Sequence, residues 1–185
     1  YQASCVITFV GMPTDILIDT SVAKEGDAYN VGIGTASKFN ISLTNPFGSV
    51  GSQFNDITCE VSGVGSIVVG YMEHYNQSGT DKWYDESDET ITIDSIKDAL
   101  ISVTYLGGVL TVNSIKSIES YYESVQRMDG GRTRAYHNKF RSFVDDCYFK
   151  VTVKENTSGL TKVLNIRFDD EVVTGVSVNT TEMQF

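Results

Sequence analysis

The chain has 185 residues, of which 24 are acidic and 14 are lysine or arginine, so its formal net charge is -10 at pH 7. Hydrophobic residues make up 41% and aromatic residues 11%, enough for a buried core, which excludes a disordered chain. The negative charge disfavours a general nucleic-acid-binding surface, because phosphate contacts require a basic face.

Alternation of polar with β-branched or aromatic residues recurs along most of the chain and predicts about ten short strands. Between residues 24 and 36, three glycines predict a loop that contains one irregular strand. The predicted strands cover residues 4–10, 16–19, 38–44, 56–62, 66–75, 90–94, 101–106, 109–112, 133–143, 147–155, 162–168 and 172–178.

Three segments between these strands carry turn or loop signals. Gly107-Gly108 separates two alternating runs by two residues, which predicts a tight β-hairpin. Asn45-Pro46-Phe47-Gly48 predicts a turn with proline at its second position. The hydrophilic stretch 76–89 is predicted to be a loop.

One segment departs from the β pattern. From Ser114 to Met128, apolar residues recur at spacings of 3, 4 and 3, and Gly130-Gly131 follows. This pattern predicts an amphipathic helix over about 114–128. A shorter helical turn is predicted after Asp94, which can cap residues 95–100.

Many short strands with frequent turn signals predict a mainly β chain, an antiparallel β-sandwich or barrel with one helix. Strands and helices do not alternate, which disfavours a doubly wound α/β fold. No linker-like boundary interrupts the pattern. The prediction is therefore one β-sandwich-like domain over residues 1–185.

Catalytic and cofactor motifs are missing from the sequence. The two histidines, His74 and His137, have no nucleophile-elbow or zinc-binding pattern around them, and no complete glycine-rich phosphate loop occurs. The cysteines are at positions 5, 59 and 147, too far apart for a CxxC motif. The sequence is compatible with three free thiols or with one disulfide and one free thiol. We therefore predict a protein that is not an enzyme, with no catalytic residue, metal or cofactor.

An acidic segment, residues 81–89, is the first candidate for partner binding. Trp83 and Tyr84 lie within it, and aromatic residues on a loop can anchor a partner or a sugar. The alternatives are a calcium site, although EF-hand spacing is absent, and a solvated loop. The candidate partner-binding residues here are Trp83, Tyr84, Asp85, Glu86 and Asp88.

A basic segment, residues 127–141, is the second candidate. It contains five basic residues and one acid, and it contrasts with seven acids and two lysines between 81 and 98. A solvated surface and a nucleic-acid contact are alternatives, but we favour docking onto the acidic segment of another copy. The candidate residues are Arg127, Arg132, Arg134, Lys139 and Arg141.

These features together indicate a structural protein that self-assembles. In architecture the predicted chain resembles phage tail tube subunits and capsid decoration proteins, which implies a virion component whose partners are copies of itself or other virion subunits. The expected location is the virion or the extracellular space, without membrane insertion. The alternative is a secreted or cell-surface adhesin or pilus-type protein that binds a glycan or receptor, supported by sequons at Asn40, Asn76, Asn156 and Asn179.

Overall fold

The computed structural model describes residues 11–48, 50, 54–129 and 132–169. Over these residues the fold is mainly β, as predicted, with three sheets and one short α-helix. The strands are β1 Asp15–Asp19, β2 Lys24–Glu25, β3 Ala28–Gly32, β4 Ala36–Thr44, β5 Ile57–Val64, β6 Ser66–Gln77, β7 Thr80–Thr92, β8 Ile101–Leu106, β9 Val109–Ser114, β10 Tyr122–Asp129, β11 Arg132–Phe143, β12 Tyr148–Glu155 and β13 Thr161–Asp169.

The helical segment of the described chain lies between β7 and β8. A 3-10 turn, Ile93–Ile96, leads into α1, Lys97–Leu100. This placement matches the short helix predicted after Asp94. The side chain of Asp94 accepts a hydrogen bond from the Gly63 backbone N–H at 2.7 Å, so it holds the turn against β5.

The amphipathic helix predicted over 114–128 is wrong. β9 continues to Ser114, a short turn follows, and residues 122–129 form β10. The buried apolar residues of the turn are Ile118 and Tyr121, Ser117 is buried as well, and Ile115 is exposed. Pairing of β10 with β11 outweighs the weak helical periodicity, because propensity is easily overridden by tertiary pairing.

Three sheets share one core. The first has the order β1-β4-β9-β8 and the second β2-β3-β13-β12-β5, in which β13 and β3 are parallel. The third has the order β10-β11-β6-β7. One hydrophobic cluster joins all three sheets through residues such as Phe39, Phe149 and Val69, which are at most 1% exposed.

Turn chemistry explains which hairpins were predictable. β8 and β9 pair up to Leu106 and Val109, which confirms the hairpin at Gly107-Gly108; both glycines have positive φ. The turn at Asn45 is also confirmed, since the Gly48 N–H donates to the Asn45 carbonyl at 3.0 Å. The predicted strands over 4–10 and 172–178 lie outside the described residues.

The loop predicted over 76–89 is wrong. β6 and β7 pair without a break in the hairpin from Ser66 and Thr92 to Gln77 and Thr80, apart from one bulge near Tyr71. Ser78 and Gly79 make the turn, both with positive φ. A hydrophilic composition suggested a loop, but a strand exposed on both faces has the same composition.

Candidate functional site

Both charged segments singled out in the sequence belong to one sheet, which we call the hairpin sheet: β10-β11-β6-β7. It consists of two long hairpins. The acidic hairpin is β6–β7, residues 66–92, and the basic hairpin is β10–β11, residues 122–143. β6 and β11 are the inner strands, so β7 and β10 form the two edges.

The inner strands anchor the hairpin sheet to the core. Ile67, Val69 and Tyr71 of β6 are buried, and Tyr136 of β11 is buried as well. The described pairing between β6 and β11 ends at Glu73 and Tyr136. Each hairpin continues beyond that point: β6 pairs with β7 to Gln77, and β11 pairs with β10 from Arg132. Beyond Glu73 and Tyr136, the described strand pairs are therefore within each hairpin and not between the two hairpins.

The charges of the two hairpins are opposite. The acidic hairpin has six acidic residues and one lysine, a formal charge of -5, whereas the basic hairpin has five basic residues and two acids, a formal charge of +3. The segregation noted along the sequence is thus a segregation across one sheet. One edge of the sheet is negative and the opposite half is positive.

The two hairpins also make an ion pair with each other. Nε of Arg141 lies 3.7 Å from Oδ1 of Asp88. Gly70 of β6 stands opposite Asp88 and opposite Lys139, and a Cβ added at Gly70 would clash with Nε of Arg141. The side chain of Arg141 therefore crosses β6 over a residue that has no side chain, at a bulge between Phe140 and Ser142.

The structure brings two of the predicted binding residues together. Asp88 and Arg141 are paired, and Lys139 is exposed on β11. The other candidates lie on described backbone, but their side chains are outside the described part of the structure. These are Trp83, Tyr84, Asp85 and Glu86 on β7, Arg127 on β10, and Arg132 and Arg134 on β11.

A cluster around His137 escaped the sequence reasoning. Nδ1 of His137 lies 2.6 Å from the Tyr122 hydroxyl and 3.0 Å from the Ser124 hydroxyl, and the Tyr122 and His137 rings stack with centroids 5.2 Å apart. Ser124 and His137 are direct cross-strand partners. Because two hydroxyl groups compete for one ring nitrogen, His137 is not available as a base for Ser124 alone. The arrangement fits an ordered surface contact better than an activated serine nucleophile.

Beside Tyr122 lies a small cavity of about 240 Å³, lined by Ser95, Asp98, Tyr121, Tyr122 and Glu123 among others. Tyr121 is buried, and its hydroxyl donates to Oε2 of Glu123 at 2.6 Å. Burial, followed by this hydrogen bond, raises the pKa of Tyr121 far above its ordinary value. The cavity therefore combines an exposed aromatic ring with carboxylates.

A second cavity lies between β4, β5 and the β8–β9 turn. It has a volume of about 540 Å³ and is lined by Ile41, Leu43, Ile57 and Tyr105 among others. Burial is the main cause that raises the pKa of Tyr105. The residues that line this cavity are uncharged, so they do not indicate a particular reaction or ligand.

Cysteine and metal chemistry are limited in the described part of the chain. Cys59 and Cys147 are free, half-buried thiols, and burial raises the pKa of both. Among the described residues, histidine, cysteine and carboxylate side chains form no group of three that would hold a metal ion. No helix in the same residues has the length and apolar character needed to cross a membrane. Cys5 lies outside the described residues.

Comparisons with protein-family models, with curated proteins and with solved structures found no match to this chain.

Proposed function

We propose that this chain is a non-enzymatic structural protein that assembles with copies of itself, as a component of a virion of the tail tube, capsid or decoration type. The observation that carries the proposal is the hairpin sheet, in which hairpins of charge -5 and +3 lie side by side and end in two edge strands. Opposite charges at two ends of one surface favour head-to-tail association.

The chemistry of the described residues supports the same proposal. The His137 cluster joins side chains of the neighbouring strands β10 and β11, and the larger cavity has mainly uncharged walls. Such features suit a protein whose surface makes contacts with other subunits. The proposed partners are other copies of this chain or other virion subunits, and the proposed location is the virion or the extracellular space.

Light scattering coupled to size-exclusion chromatography tests the proposal on the unmutated chain. Several protein concentrations should be run at about 0.05 M and about 1 M NaCl, where the Debye length falls from roughly 14 Å to about 3 Å. We expect rings, tubes or other oligomers at low salt that dissociate as salt rises. A monomer of unchanged mass under all conditions would contradict assembly. Electron microscopy of the low-salt sample would show the form of the assembly.

A second candidate function is glycan or receptor binding, as in an adhesin or pilus-type protein. The cavity beside Tyr122 favours it, because an aromatic ring next to Asp98 and Glu123 offers both an apolar face and hydrogen-bond acceptors. A glycan array tests this candidate with the unmutated protein, Tyr122→Ala and Trp83→Ala. Binding that Tyr122→Ala abolishes supports it, and no binding by the unmutated protein contradicts it.

A further inference from the structure

The cavity beside Tyr122 lies where the short helical segment meets the start of β10. The 3-10 turn and α1 contribute one part of its lining, including Asp98, and Tyr121, Tyr122 and Glu123 contribute the other part. Its volume of about 240 Å³ suits a ligand smaller than a drug-sized molecule. The fold therefore brings two carboxylates from separate elements to one small cavity.

Two hydroxyl groups that line the cavity have already used their protons. The Ser95 hydroxyl donates to the Thr92 carbonyl at 2.7 Å. The Tyr121 hydroxyl donates to Oε2 of Glu123 at 2.6 Å. An anion needs donors from the protein, and a neutral sugar needs donors as well as acceptors. The side chains of this cavity are therefore poorly matched to either ligand.

Hydrogen-bond acceptors, by contrast, are in excess in the cavity. Among the described residues, the Asp98 carboxylate makes no ion pair and accepts no hydrogen bond, and Glu123 accepts one, from Tyr121. Lys97, the neighbour of Asp98 in α1, pairs with Asp94 at 3.1 Å instead. Two formal negative charges thus line the cavity without a basic partner in the described part of the chain.

A buried amide next to Tyr121 is also short of a donor. Asn138 is 8% exposed, and its side chain hydrogen-bonds the Tyr121 hydroxyl. It is the cross-strand partner of Glu123, and its Oδ1 has no hydrogen-bond partner in the described structure. Buried oxygens without a donor are uncommon in folded proteins. The polar cluster behind the cavity therefore lacks the same kind of group as the cavity itself.

Tyr122 gives the cavity an aromatic surface. Its ring is 46% exposed, and its hydroxyl is held 2.6 Å from Nδ1 of His137. Aromatic rings attract cations through their quadrupole. Lys139 is the cross-strand partner of Tyr122 but does not line the cavity, so this lysine leaves the cavity open to another cation.

We propose that this cavity binds a small organic cation, an ammonium or guanidinium group carried on a short apolar stem. The cationic group donates hydrogen bonds to Asp98 and Glu123, and the stem contacts Tyr122 and Ile96. This binding site goes beyond the proposed assembly function and does not depend on it.

A comparison of probes on the unmutated chain tests the class of ligand. n-Butylammonium, n-butanol, n-butyrate and methyl β-glucoside are titrated at matched ionic strength while amide chemical shifts are followed by NMR. We expect butylammonium to shift residues 95–99 and 121–123 and to bind more tightly than the other three probes. Equal or tighter binding of butanol, butyrate or the glucoside overturns the proposal. Butylammonium shifts spread over the acidic surface, rather than at the cavity, also overturn it.

Removal of the two charges tests the site itself. Asp98→Asn with Glu123→Gln should weaken butylammonium binding about fivefold or more, and Tyr122→Leu should weaken it about threefold. Asp19→Asn with Glu60→Gln is the matched control, because it removes two exposed carboxylates from β1 and β5. The control should bind as the unmutated chain does. If the Asp98 and Glu123 variant binds as tightly as the control, the proposal is wrong.

Circular dichroism verifies the folding of each variant, and the comparison of probes stands without them because it uses only the unmutated chain. Light scattering of the unmutated chain with and without butylammonium identifies the source of the cation. An unchanged mass with the probe bound supports a free small ligand. A mass that falls as the probe saturates means that a basic side chain of another copy fills the cavity, and it overturns the proposal.

Discussion

Arg141 on β11 and Asp88 on β7 form an ion pair across β6, the strand that separates them, with 3.7 Å between Nε and Oδ1. The pair exists because Gly70, the residue beneath the arginine side chain, has no Cβ. Part of the charge complementarity between the acidic and basic segments is thus satisfied within one chain. The other basic residues of the hairpin are Arg132, Arg134 and Lys139 on the inner strand β11 and Arg127 on β10.

A double-mutant cycle should measure this pair. Asp88→Asn and Arg141→Gln should show a coupling of about 0.5 kcal/mol in urea unfolding at low salt, because both side chains are partly exposed and solvent screens them. The coupling should vanish in about 1 M NaCl. It should also vanish when the cycle is repeated in a Gly70→Ala background. A coupling that survives in that background would show that Arg141 reaches Asp88 by another route.

Gly63→Ala should destabilise the fold more than Gly70→Ala, although both glycines lie in strands. A Cβ at Gly63 would lie 2.5 Å from the backbone N of Asp94 and 2.8 Å from its Cα, and neither atom can move without shifting the 3-10 turn. The three atoms nearest to a Cβ at Gly70 all belong to the flexible end of Arg141. Urea unfolding should give a loss of about 1–3 kcal/mol for Gly63→Ala and less than about 1 kcal/mol for Gly70→Ala. Equal losses would contradict the close approach of β5 to the turn.

The carboxylate of Asp94 should contribute to the pH dependence of stability. Its hydrogen bond from the Gly63 N–H, and then that from Lys97, lower its pKa below the ordinary value. A lowered folded-state pKa means that the stabilisation is present above the unfolded-state pKa and is lost as the pH falls through the folded-state pKa. Asp94→Asn should therefore lower Tm near neutral pH, and the difference from the unmutated protein should narrow toward about pH 2.

Asp98→Asn is the control for this measurement, since Asp98 is an exposed carboxylate of α1. It should leave Tm close to that of the unmutated protein across the same range. A constant difference between Asp94→Asn and the unmutated protein at all pH values would show that the effect is steric rather than ionic.

Glu155, at the end of β12, should be important for stability despite its distance from the hairpin sheet. It is 0% exposed, and its carboxylate accepts hydrogen bonds from the N–H groups of Thr157 and Ser158 at 3.0 and 2.6 Å and from the Ser158 hydroxyl at 2.5 Å. Burial raises its pKa, but the hydrogen bonds from Ser158 and Thr157 outweigh burial, and the net pKa is lowered. Its stabilisation is therefore lost as the pH falls through that lowered value.

Glu155→Ala should cost about 3 kcal/mol in urea unfolding at neutral pH, because it leaves two turn N–H groups without their acceptor. Glu155→Gln should cost less, since one side-chain oxygen remains to accept. Glu60→Gln, at an exposed carboxylate of β5, is the matched control and should change stability by no more than about 0.5 kcal/mol. If Glu155→Ala were as mild as the control, the turn would not depend on the carboxylate.

Sequence reasoning located the strands that have one buried face. In β4, Phe39 and Ile41 are buried and Lys38 and Asn40 are exposed, so the alternation is visible locally. It failed for β7, where the described residues 87–90 are all exposed and no alternation marks the strand. The Ser78-Gly79 dipeptide was the available signal for that hairpin, since such pairs favour turns.

The sequence by itself determined the mainly β class, the Gly107-Gly108 hairpin and the existence of two oppositely charged segments, because each depends on neighbouring residues. Only the tertiary structure decided that residues 122–129 form a strand and that both charged segments flank β6 in one sheet. These outcomes depend on pairing between residues far apart in the chain, such as Arg141 and Asp88. The free energy of such pairing depends on the residues of both strands, so it cannot be predicted from either segment alone.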